Sequence, residues 1–76
     1  MSETEWLWMF STNLTRMVYE AKLTQRDLAE LSGISEATIS KYLRGHQMPG
    51  VKAILNIAYV LNCNTDDLID FGKPID

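Results

Sequence analysis

The chain lacks the residues that most covalent or metal chemistry requires. It has one cysteine, Cys63, and one histidine, His46, so it has no internal disulfide and no spacing of metal ligands. No serine or cysteine is accompanied by an identifiable base and orienting partner, so neither catalytic residues nor a cofactor is expected, and the chain does not read as an enzyme. No run approaches the roughly 18 apolar residues of a membrane span. The aromatic stretch "WLWMF" at Trp6 to Phe10 follows Glu3 and Glu5, where a signal peptide needs a basic leader. With 2 prolines and 4 glycines in 76 residues, collagen-like and disordered chains are excluded too. The expectation is one soluble, cytoplasmic domain with no metal, no membrane partner and no room for a ligand-sensing unit.

Hydrophobic residues make up 46%, which suits a compact globule, and the net charge is -3. An acidic total argues against a nucleic-acid partner only if the acids lie where that partner would bind. They do not. From Lys22 to Lys52 the bases Lys22, Arg26, Lys41, Arg44 and Lys52 face only Asp27, Glu30 and Glu36, a local balance of +2 against -5 for the rest.

Periodicity supplies helices and no strands. Leu7, Phe10, Leu14, Met17, Val18 and Ala21 fall on one face of a first helix. Two starts are open: Ser2 with Glu5 as a capping box, or Ser11 or Thr12 as caps that leave residues 1–10 as a separate arm. In the first case Trp8 points away from the apolar stripe. Thr24 and Asp27 begin a second helix of about two turns, with Leu23, Leu28 and Ala29 inward, before Gly33 breaks it. Ser35 caps a third, in which Ile39 and Tyr42 or Leu43 face the core and Gly45 stops the run. Two short helices joined by a glycine-containing turn form a helix-turn-helix, and small Ala29 permits their close crossing. Val51 to Leu61 is apolar nearly all round, so that helix requires cover on more than one side. Asn62 is a left-handed cap, and Asn64 with Asp67 starts a last short helix.

The ordered set "LTQRDLAELSGISEATISKYLRGHQMP" followed by "ILNIAYVLNCNTDDLI" resembles the phage repressor and Cro (XRE) class of helix-turn-helix domains, from about Leu14 to Ile69. The resemblance implies an all-α, compact five-helix bundle of the lambda-repressor type. It divides the chain into an arm or helix extension (1–10), the helix-turn-helix domain (11–71) and a tail (72–76). The third helix would enter the major groove of double-stranded DNA. Ser35, Glu36, Ala37, Ser40 and Lys41 match base-facing positions, and Thr24, Gln25, Thr38, Arg44 and His46 match phosphate-facing ones. By their chemistry Glu36 can accept from cytosine N4, Ala37 can touch a thymine methyl and Lys41 can donate to guanine.

Two departures from relatives stand out. Where some carry a buried arginine and glutamate, this chain has Val18 and Leu43, which are expected to meet. The loop "GHQMPG" holds only His46 and Gln47 where relatives are often rich in lysine and arginine, which predicts weak non-specific binding and a shallow salt slope. The function implied is sequence-specific transcriptional regulation, as a repressor or through contact with RNA polymerase, by a homodimer. The dimer candidates are Trp6, Trp8, Asn56, Tyr59 and Phe71. The alternative is a protein-interaction module on the same scaffold, for example an antitoxin whose acidic ends hold a basic toxin.

Overall fold

A computed structural model describes residues 1–70; Phe71 and the tail 72–76 lie outside the described residues. Five helices follow in order: α1 (Glu3–Glu20), α2 (Gln25–Ser32), α3 (Glu36–Arg44), α4 (Val51–Val60) and α5 (Thr65–Leu68). No strand occurs among the described residues.

The open question about α1 is resolved by its first turn. Ser2 accepts from the Glu5 N–H at 3.1 Å while the Glu5 carboxylate accepts from the Ser2 N–H, so the capping box starts the helix early and residues 3–10 are helical. Those hydrogen bonds, from the Ser2 backbone foremost, hold the Glu5 carboxyl below the usual range. The aromatic run therefore contributes directly to the core. Phe10 is fully buried, Trp6 stacks on it at 5.3 Å, and Tyr42 of α3 meets it edge-on at 6.3 Å.

The core joins Phe10, Leu14 and Val18 of α1 to Leu28 and Ala29 of α2, Ile39 and Tyr42 of α3, Ile57 and Ala58 of α4, and Leu68 of α5. Leu23, Leu43 and Cys63 pack on its edge, and Ala21, the last residue of the expected α1 stripe, is exposed at the helix end. Val18 is buried and Leu43 half-buried against the core, so both positions of the lost ion pair are occupied by packed apolar groups. Removing both charges together avoids the desolvation cost that a buried pair carries.

The helix ends follow their local chemistry. Thr24 and Asp27 form a reciprocal capping box at 3.0 and 2.9 Å. Gly33 and Gly45 close α2 and α3 with φ of 74° and 71°, a conformation that a side chain resists. Asn62 is left-handed as expected, at φ 54°, and so is Lys22, at φ 58°, which nothing in its composition announces.

The fourth helix departs from expectation. Its inner side is covered, with Ile57 and Ala58 buried, but Val51, Leu55 and Tyr59 are 76%, 55% and 87% exposed. Among the described residues α4 is covered on one side only.

Candidate nucleic-acid interface

α3 divides cleanly along its length. Ile39 and Tyr42 are buried, while Glu36, Ala37, Lys41 and Arg44 are exposed and Ser40 is half-buried between them. Positions 36, 37, 40, 41 and 44 share one side because helical neighbours recur three and four residues apart. A short polar and cationic edge thus faces outward over an apolar anchor. Basic Lys41 and Arg44 occupy the last turn, which the helix macrodipole favours, and Glu36 occupies the first.

The two capping residues are partly committed already. The Ser35 hydroxyl accepts from the Thr38 N–H at 3.2 Å and donates to the Thr38 hydroxyl at 2.9 Å. Thr24 accepts from Asp27, and hydrogen bonds from Thr24, its backbone N–H foremost, hold the Asp27 carboxyl below the usual range. Both side chains stabilise helix starts whatever else they contact. Gln25 is half-buried as the first residue of α2, and Thr38 is half-buried. His46 is exposed just after α3. Gly50 precedes α4 with no side-chain cap, which leaves the first N–H groups of that helix without a side-chain acceptor. Arg26 pairs with Glu30 at 3.4 Å on the exposed side of α2.

The dimer candidates fall into three groups. Tyr59 and Trp8 are exposed, Trp8 at 68%. Trp6 is half-buried against Phe10, and the half-buried Asn56 side chain donates to the Ser32 carbonyl at 3.4 Å, which ties α4 to the end of α2. Phe71 lies outside the described residues. Sequence reasoning missed Val51, Leu55 and the 63% exposed Leu31. Their signal was the nearly all-apolar α4, whose second face needed cover that no helix among the described residues supplies. Beside this stripe lies an open groove lined by Leu31, Ala58, Tyr59, Val60, Asn62 and Cys63. Burial, with a smaller effect from Asp67, pushes the Cys63 thiol up, so it is a packing residue rather than an activated nucleophile.

Among the described residues no group of three or more His, Cys, Asp or Glu side chains is placed to hold a metal ion. No described helix is long and apolar enough to cross a membrane.

Known proteins with this arrangement are consistent in kind. A family profile described as Helix-turn-helix matches residues 15–68. An uncharacterized HTH-type transcriptional regulator of Bacillus subtilis, YqaE, is 34% identical over 61 residues, covering 80% of this chain. The chain spans 53% of that relative's length. Among solved structures, the restriction-modification controller protein C.AhdI of Aeromonas hydrophila superposes with a TM-score of 0.80 at 27% identity, over 82% of this chain and 94% of that one. The SOS-response transcriptional repressor LexA of Eubacterium rectale gives 0.85 at 28% identity, over 100% of this chain and 82% of that one.

Proposed function

The chain belongs to the helix-turn-helix family, in its phage repressor and Cro (XRE) class, and from that premise we propose that it is a sequence-specific DNA-binding regulator that acts by occupying an operator. The observation that carries this reading is the outer edge of α3. Glu36, Ala37, Ser40 and Lys41 supply an acceptor, a methyl, a hydroxyl and a cation, which are the groups that distinguish base edges in the major groove. Ser35, once its capping bonds are counted, acts from the rim of that edge. Thr24, Gln25, Thr38, Arg44, His46 and the open N-terminus of α4 contact phosphates and set the register. The five helices from Glu3 to Leu68 form the reading domain, so the boundary expected at residue 11 falls inside α1.

The same reading makes the regulator a homodimer. Val51, Leu55 and Tyr59 lie four residues apart on α4, and with Leu31 they give an exposed apolar surface of the kind that marks an interface. A second copy covers it, which brings two copies of α3 to half-sites about 34 Å apart, one helical turn of DNA, or a multiple of that spacing. Trp8 stands on α1 and Asn56 is engaged within the chain, so Tyr59 leads the original candidates.

Binding-site selection from random duplexes at low salt tests the proposal. The wild-type protein should enrich a two-fold symmetric motif. Enrichment of none would overturn the reading and leave the scaffold to a protein partner, such as a basic toxin held by the acidic ends.

A further inference from the structure

We propose that Ser11 is a positioning residue for the recognition helix: by holding the end of α3 from α1, it sets how well the protein separates its operator from random DNA. The inference rests on the DNA-reading function proposed above.

The Ser11 hydroxyl, half-buried in the middle of α1, donates to the Leu43 carbonyl in the last turn of α3. Carbonyls there have no partner within their own helix. Gly45 and His46 return N–H groups to the Tyr42 and Lys41 carbonyls at 3.1 and 2.8 Å, and Ser11 serves the Leu43 carbonyl. A second observation marks the same junction. A Cβ placed on Gly45 would lie 3.3 Å from the Leu7 carbonyl oxygen and 3.5 Å from the Ser11 Cβ, so the chain leaves α3 pressed against Leu7 and Ser11.

Direction is what the hydroxyl adds. The apolar part of the α1–α3 contact includes the Phe10 and Tyr42 rings, with Leu43 packed on the edge of the same core, and apolar burial is largely non-directional. A hydrogen bond fixes both distance and angle. α3 is therefore anchored at its C-terminal end, while Glu36 and Ala37 at the other end are exposed. With 9 residues at about 1.5 Å each, α3 is about 13 Å long, so a tilt of about 5° at the anchor moves its first turn by about 1 Å. Hydrogen bonds to base edges do not survive such a shift, whereas long flexible cations still reach phosphates.

The test measures affinity for the selected operator and for random duplexes with wild type, Ser11→Ala, Ser11→Thr and Ile57→Val. The last lowers stability from α4, which packs on α2 and α5 and does not form the junction. Ser11→Ala should reduce the operator-to-random ratio about five-fold, the equivalent of one ordinary hydrogen bond, with random-duplex affinity unchanged. Ser11→Thr should restore the ratio and Ile57→Val should keep it. If Ser11→Ala does not fold, Ser11→Cys, which keeps a side-chain atom at the γ position but is a larger and weak donor, takes its place with the same expected loss. A wild-type ratio in the Ser11 variant, or a loss no greater than in Ile57→Val, overturns the inference alone. A wild-type protein that selects no motif overturns the DNA reading and this inference with it.

Discussion

At the scale of single residues, Asp27 shows how capping and charge are linked. Its carboxyl lies below the ordinary value of 3.8 in the folded chain, because Thr24 donates to its ionised form. The unfolded chain therefore binds more protons in the window just below that value, and stability falls as the pH drops through it. The contribution is fully present above the ordinary value and lost as the pH falls through the folded one. Urea unfolding of wild type and Asp27→Asn should show a difference at neutral pH that shrinks as the pH falls below 3.8. A difference that grows in acid would contradict the assignment. Phe10 makes a larger claim. It is fully buried between Trp6 and Tyr42, so Phe10→Ala should cost about 3–5 kcal/mol in denaturant unfolding, whereas a loose arm would lose almost nothing.

At the scale of elements, the helix ends carry the sharpest predictions. Lys22 is left-handed after α1, with its N–H and that of Leu23 bonded back to the Tyr19 and Val18 carbonyls. A residue with a Cβ resists this conformation by about 1–2 kcal/mol and glycine does not. Lys22→Gly should therefore not destabilise the protein and should raise Tm, part of the relief being offset by the greater freedom of an unfolded glycine. Gly33→Ala should lower the unfolding free energy by about 1 kcal/mol, since space is open around that position and the backbone angle alone sets the cost.

These ends also mark how much the sequence made legible. Caps written in one short stretch, such as Ser2 with Glu5, Thr24 with Asp27, and Ser35, are visible because both partners lie three residues apart. Lys22 was not visible, because its conformation is imposed by the closing turn rather than by residue type. Asn56 and Ser11 were not visible either, since each bonds to a carbonyl distant in sequence, at Ser32 and Leu43. The outward edge of α3 was read correctly from its polar pattern. The exposure of Val51 and Leu55 was not, because an apolar residue does not say whether its own chain or another covers it.

At the scale of the whole molecule, charge and the open α4 face govern behaviour. Lys41, Arg44 and Lys52 are the exposed cations of α3 and the start of α4, and the loop between them adds only His46. Each neutralised phosphate contributes about -0.9 to the slope of log affinity against log salt, so each chain should give a slope near -3 on random DNA. A slope as steep as the roughly -10 of lac repressor would contradict this. The apolar stripe makes a separate demand. Leu55→Glu should turn a dimer into a monomer in a solution mass measurement while the helical circular dichroism stays unchanged, because Leu55 is 55% exposed in the single chain. A wild-type chain that is monomeric at high concentration would refute the dimer.

On the proposed DNA reading, labour is divided along α3, with Lys41 choosing the sequence and Arg44 fixing the register. Affinities of wild type, Lys41→Ala and Arg44→Ala for the selected operator and for every single-base-pair change in it test this directly. Lys41→Ala should erase the preference at one base pair per half-site, at a cost of about 1–3 kcal/mol, and leave the other positions intact. Arg44→Ala should weaken all sequences equally and reduce the salt slope by about 1 per chain. Two variants that behave alike, or a Lys41→Ala protein that keeps the wild-type preference at every position, would refute this division.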